Sequence, residues 1–279
     1  GFAPCREADR ERLVALMEGV EDIPGTALHE GIRWNWETFA EYLDALDQTP
    51  RTIAVAAHVP HDALRVFVMG ERAVAGSRAT PEDLARMKAE LAAALDAGAF
   101  GFSTGRTDNH RANDGSETPA ADAGPTELEE LAAVFNGRDA GVLQAVSDFD
   151  MASGKGEFDR EFDLLERMAK VAQRPLSMSL LQRFGDSEQW RKILKRVEAA
   201  NEAGMAMKVQ VAPRGIGVIL GLEATFHPFV GFPSYKAVAH LPLAERVAHL
   251  RNPETKRRLL AEKSDRVAGD GSSVPPLAD

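Results

Sequence analysis

An alternation constrains this chain more than any other feature: short runs rich in apolar and β-branched residues are each followed by a longer amphipathic stretch. The runs are TIAVAAHV (52–59), AFGFSTG (99–105), GVLQAVSD (141–148), PLSMSLLQ (175–182) and MKVQVAP (207–213). Their length and composition predict strands. Between the first two, TPEDLARMKAELAAALDAG supplies Thr80 as N-cap, Pro81 at the first helical position and Gly98 as terminator. Further helices are predicted near 125–137, 157–173 and 187–203, the last ended by Gly204. Strands joined through helices in this way take right-handed crossovers and form a parallel sheet, either open and doubly wound or closed as a barrel.

Five strands are too few for a complete (β/α)8 barrel. Residues 1–50 read as helices, with ADRERLVALMEGVED and the aromatic WNWETFAEYLDAL, and residues 215–263 read as helix and loop. Trp34 and Trp36 are expected in a core or an interface, the common place for such rings. GIGVILG follows a strand but lacks the GxGxxG spacing, so a dinucleotide fold is the weaker choice.

Several predicted strands end in polar residues: STGR, QAVSD, SLLQ and QVAPR. In parallel α/β folds the C-terminal strand ends carry the chemistry. This favours a site built from Ser103, Thr104, Arg106, Asp148, Gln182 and Arg214. Polar residues also occur wherever a strand reaches solvent; recurrence on consecutive strands favours the site.

Charge excludes one class of partner. Acidic residues outnumber basic ones 43 to 33, for a net charge of −10, whereas phosphate recognition needs a basic face, so no nucleic acid is expected. No apolar run has the length of a membrane span and no signal peptide opens the chain, so the expectation is a cytoplasmic protein with no membrane partner. The single cysteine, Cys5, excludes an internal disulfide or a CxxC metal knuckle and reads as a small apolar filler. GFAPCR opens without methionine and GSSVPPLAD closes on turn-forming residues; both ends read as cuts or disordered edges, with 266–279 as a flexible tail.

AAHVPHDALRVFVMG (56–70) places His58 and His61 three positions apart at the end of an apolar run. The two converge only if the chain turns at Pro60, and two ligands fall short of the three protein side chains usual for a catalytic zinc. Packing for His58 and a capping position for His61 is the simpler assignment.

GFAPCREADRERLVALMEGVEDIPGTAL, VPHDALRVFVMG, AGAFGFSTGR and QVAPRGIGVILGLEATFHPF together resemble the D-aminoacylase (N-acyl-D-amino-acid deacylase) branch of the amidohydrolase superfamily, in order and over nearly the whole chain. The resemblance implies a metal-dependent α/β hydrolase of the (β/α)8 TIM-barrel type, incomplete at both ends, with zinc or another divalent metal in the family. Its first strand with HxH and a GNCG segment are expected before residue 1, and an aspartate-bearing strand after residue 279. VPHDALR matches a VGHxxLR segment on a loop at the barrel mouth, which gives His61 and Arg65 a substrate-orienting role. GFSTGR matches a GxSTG turn lining the pocket, which places Ser103 and Thr104 there.

The departures fall on the metal ligands. QAVSD (144–148) stands where the family has a THMR-like strand end, and MSLLQ (178–182) where it has SHHK. Neither supplies an imidazole, and Leu180 and Leu181 cannot ligate. The metal ligands of this chain are therefore left unassigned. After GFSTGR a TDNHR loop replaces a tyrosine-bearing one; Arg106, His110 and Arg111 there either contact an acidic group or form a solvated basic loop.

The leading expectation is a C–N hydrolase acting on an N-acyl-D-amino acid or a similar small-molecule N-acyl compound, in a partial barrel over 1–265 with a lid or arm near 213–250. The alternatives are a degenerate, non-catalytic member that binds small molecules without turnover, and a metal-free barrel enzyme with Asp148 or His61 as general base. Either a homo-oligomer or further polypeptide is expected to close the barrel.

Overall fold

Five strands, β1 (His58–Pro60), β2 (Gly101–Arg106), β3 (Val142–Ser147), β4 (Leu176–Ser179) and β5 (Met207–Gln210), lie side by side in chain order, and every neighbouring pair is parallel. The computed structural model describes residues 1–21, 23–107, 110–121, 123–147, 149, 157–182, 187–215, 221–223 and 227–265. Helices α1 (Arg10–Glu21), α2 (Gly25–Gly31) and α3 (Phe39–Asp47) precede the sheet. Between β1 and β2 run α4 (His61–Met69), α5 (Glu71–Val74) and α6 (Pro81–Asp96); then α7 (Pro125–Ala133), α8 (Glu157–Ala172) and α9 (Gln189–Glu202) each follow one strand. This is an incomplete (β/α)8 barrel, five parallel strands with their crossover helices.

The helix boundaries follow local chemistry. Thr80 and Asp83 form a reciprocal capping box at α6, with Pro81 just inside. Gly98 and Gly204 both take positive φ, 110° and 88°, where the chain leaves α6 and α9 for a strand, a conformation that a side chain would oppose.

Strand alternation separates two faces. Phe102, Leu143, Ala145, Leu176, Met178 and Met207 are buried on one face, in a single core with Met87 and Leu91 of α6, Leu128 and Leu131 of α7, Phe162, Leu165 and Met168 of α8, and Ile193 and Val197 of α9. The other face carries Ser103, Gln144, Ser177 and Lys208, level with one another across the ladders. That second face is the interior side of the barrel.

Two expectations need correction. TIAVAAHV forms a strand only from His58; residues 51–56 are exposed, with Ile53 at 73%. The last partner upstream is Phe100, whose N–H donates to Ala57 O at 2.8 Å. Before Phe100 the neighbouring chain is already turning out of α6 at Gly98, so nothing extended lies beside 52–56. The VPHDALR segment, expected as a loop, is helical from its histidine: extended Pro60 is the N-cap and α4 starts at His61.

Cys5 is fully buried, and burial first, then Asp9, push its thiol up to about 12, which leaves it an inert filler. Trp36 is buried and Trp34 packs beside it, ring centroids 5.4 Å apart. Among the described residues of 213–250 there is no strand, as expected. Helices α10 (Pro233–Lys236), α11 (Leu243–Arg251) and α12 (Pro253–Ala261) enclose a small core of their own, Phe232, Tyr235 and Leu259 with Leu222 and Leu250.

Candidate functional site

The passage from β1 into α4 places His61 and Arg65 one helical turn apart on the same side of α4, both buried. Glu127, in the first turn of α7 behind Pro125, meets both. His61 Nε2 lies 2.8 Å from Glu127 Oε1, and Arg65 Nη1 donates to both carboxylate oxygens. Arg65 Nη2 also donates to Ser77 O at 2.6 Å. On the other side of the ring, His61 Nδ1 lies 3.0 Å from Thr104 Oγ1 of β2, and Phe102 packs edge-on against the imidazole at 5.2 Å.

The partners fix the direction of these bonds. A carboxylate only accepts, so Nε2 carries the proton shared with Glu127; in the neutral ring Nδ1 then accepts from the Thr104 hydroxyl. The Thr104 oxygen keeps lone pairs for any further contact. Burial pushes the Glu127 carboxyl up, but the bond and charge of His61 and then of Arg65 outweigh it and hold the group below the usual carboxylate range.

This network lies between two cavities. The inner one, about 310 Å³, opens over the C-terminal ends of β1 to β3 and is lined by His61, Asp62, Ser103, Thr104, His110 and Gln144 among others. The outer one, about 650 Å³, is lined by Arg65, Ser77, Glu117 and Glu127 among others. His110 sits above the exit of β2, where a Cβ on Gly105 would lie 3.4 Å from its Nδ1.

Of the residues expected at the site, the inner cavity gathers His61, Ser103, Thr104 and His110. Arg65 stands behind them through Glu127. Arg106 is on the core face of β2, where it pairs with Glu161 of α8 and donates to Ala123 O at 2.9 Å. Arg111 faces Glu117 at 3.4 Å. Gln182 and Arg214 are exposed, Arg214 donating to Gly215 O at 3.2 Å. Asp148 lies outside the described residues. His58 is half-buried with its ring edge-on to Phe100 at 5.4 Å, and burial lowers its pKa.

Two participants escaped sequence reasoning. Glu127 reads as an ordinary first-turn acid of an amphipathic helix. Its signal is indirect: the one acid of α4, Asp62, accepts from the Ala120 N–H, so the HxxxR pair on this otherwise apolar helix takes its buried counter-charge from elsewhere. Gln144 lies within a strand end already singled out, and strand alternation places it beside Ser103.

The metal implied by the resemblance was tested against these donors. Among the described residues no three or more His, Cys, Asp or Glu gather to hold a cation. The exit of β4 offers Leu180, Leu181 and Gln182, two of which have no donor atom. The described donor set does not fit a catalytic metal.

Comparison with known proteins gives a consistent set of matches. The profile of the Amidohydrolase family matches residues 3–271. D-aminoacylase of Alcaligenes xylosoxydans xylosoxydans is 42% identical over 93 residues, 33% of this chain and 19% of that protein. N-acyl-D-aspartate deacylase of the same organism is 38% identical over 113 residues, 40% of this chain and 20% of that protein. The chain thus spans about a fifth of the length of these curated relatives in the matched regions. A solved D-aminoacylase variant in complex with CuCl2 superposes with a TM-score of 0.50 at 22% identity, over 64% of this chain and 34% of that one, a likeness of fold.

Proposed function

Because the chain belongs to the Amidohydrolase family, we propose that it contributes the substrate pocket of a hydrolase that cleaves the amide C–N bond of an N-acyl-D-amino acid or a closely similar N-acyl compound. The observation that supports this most is the family match over 3–271, laid on a parallel sheet whose inner cavity holds polar groups at the strand exits. The names of two relatives, an aminoacylase and a deacylase, supply the substrate class.

In this reading the amide enters over β2 and β3. Gln144 and Ser103 each offer a donor and an acceptor for the amide edge. His61 is a positioning residue: both ring nitrogens are engaged, so it fixes the Thr104 hydroxyl instead of receiving a proton itself. Arg65 and Glu127 hold that ring in place. Asp148, which follows β3 in sequence, is assigned the carboxylate that accepts a proton from water as the water oxygen bonds to the carbonyl carbon, and that returns this proton to the amine nitrogen as the C–N bond breaks.

The test is release of free amine from N-acetyl-D-amino acids, their L enantiomers and N-acetylated simple amines by the full chain. Turnover selective for the D amino acids is expected. Replacing Asp148 with Asn is expected to lower kcat by about 10²–10⁴-fold. No amine from any N-acyl compound overturns the proposal.

A second reading has one observation of its own. The described strand exits at Ser147 and at Leu180 to Gln182 carry no imidazole, which suits a family member that binds small N-acyl compounds without cleaving them. Saturable binding without amine release favours it.

A further inference from the structure

At the end of the sheet opposite the strand exits, a separate cavity of about 390 Å³ opens where the chain enters β4 and β5. Lys170, Gln173, Arg174, Pro175, Gly204 and Met205 line it, among others. Among the described residues no carboxylate does, in a chain whose acids outnumber its bases 43 to 33. Barrels of this kind carry their chemistry at the C-terminal strand ends, so this cavity lies outside the hydrolytic site.

Its two cations lack acidic partners. Lys170, in the last turn of α8, is exposed and bonds to no side chain among the described residues. Arg174 is half-buried and donates only to backbone, from Nε to Gly141 O at 3.2 Å and from Nη1 to Arg138 O at 3.4 Å, which leaves Nη2 free. A cation near a helix end can serve the helix's own carbonyls. At α9, whose end forms the other wall, that need is met from within: Ala199 O, Ala200 O and Asn201 O accept from the N–H groups of Ala203, Met205 and Gly204.

A third polar group is held at the cavity against backbone preference. Helices α6 and α9 leave for their strands through Gly98 and Gly204, both at positive φ, whereas α8 leaves through Gln173, at φ 51°. Glycine is the usual residue in that conformation because a side chain opposes it. The Gln173 amide is exposed at the cavity and bonds to nothing among the described residues. Strain kept beside unmatched charge points to a ligand.

We propose that Lys170, Gln173 and Arg174 form an anion site for a phosphoryl group, either free phosphate or the phosphate of a small molecule. Two uncompensated cations match a dianion in charge. The ammonium, the Nη2 group and the amide NH2 all donate, and a phosphoryl group accepts from all three. The site stands apart from the hydrolase reading, and its test involves no turnover.

The experiment follows the Gln173 side-chain amide and the Gly204 N–H by NMR. The full chain is titrated with sodium phosphate, glycerol 3-phosphate and sodium acetate at constant ionic strength and about pH 8, where a phosphate is doubly charged. Saturable shifts are expected, with phosphate at least about tenfold tighter than acetate, the scale of one added charge-assisted contact. Whichever of the two phosphates binds more tightly identifies the source. Lys170→Met should weaken phosphate binding about tenfold and Lys170→Arg should retain most of it, with thermal unfolding unchanged because Lys170 is exposed. Gln173→Gly should raise thermal stability yet weaken binding, a combination that a purely structural side chain would not give. No saturable shift, equal binding of acetate, or phosphate binding that survives Lys170→Met overturns the site.

Discussion

The two ends of the sheet treat their polar residues in opposite ways. At β1 and β2, His61, Thr104, Glu127 and Arg65 are buried and bonded in sequence, and α4 and α7 hold them from behind. At β4 and β5, Ser177 is buried without a partner and Lys208 is exposed without one among the described residues. A satisfied buried network fixes geometry; a polar group without a partner fixes none. The contrast separates polar residues that hold the fold from those that do not, and stability measurements can break it.

The largest effect is expected at Glu127. Glu127→Gln keeps the shape but leaves the Arg65 guanidinium buried without its counter-charge, which costs about 3–5 kcal/mol by analogy with other broken buried pairs. Urea unfolding measures it; a loss below about 1 kcal/mol would mean that the network is not what holds α4 against α7. The pH dependence follows from the depressed carboxyl. Its contribution is fully present above the ordinary carboxylate value of about 4.3 and is lost as pH falls through the lower folded-state value. The stability gap between wild type and Glu127→Gln should therefore narrow on acidification below about pH 4. A gap that widens there contradicts the assigned direction.

Thr104 comes next. Thr104→Val removes the hydroxyl that satisfies His61 Nδ1 and should cost about 1–3 kcal/mol, the penalty of an orphaned buried acceptor, while Thr104→Ser should cost less. A loss in Ser with none in Val would show that the β-methyl packing matters and the bond to His61 does not.

Much of this was legible before any coordinates. Thr80, Pro81, Gly98 and Gly204 mark helix ends by local chemistry, and α6 begins and ends where they place it. The alternation of apolar runs and amphipathic stretches carries the parallel order, because a crossover helix leaves few other connections. What failed depended on partners distant in sequence. Residues 52–56 have strand composition, yet the chain beside them turns away, and pairing rather than composition makes a strand. His61, Ser103, Thr104 and His110, which strand exits or a motif singled out, line one cavity. Glu127 was not singled out, since 62 residues separate it from Arg65 and nothing in its own helix distinguishes it from a solvated acid. Arg106 was expected at the pocket or on a solvated basic loop, but strand alternation turns it toward Glu161 in the helix layer.

The smallest effects belong to the open end, and their smallness is the test. The Ser177 oxygen forms no bond in the fold, so Ser177→Ala deletes no interaction and relieves an unmet hydroxyl; it should be neutral or stabilise by up to about 1 kcal/mol. Lys208→Met, at an exposed position, should stay within about 0.5 kcal/mol of wild type. If Ser177→Ala instead destabilises as much as Thr104→Val, the Ser177 hydroxyl is bonded within the folded chain and the two ends of the sheet are alike. If both substitutions leave stability unchanged while only Thr104→Val lowers it, Ser177 and Lys208 carry no part of the fold, unlike the bonded residues of β1 and β2.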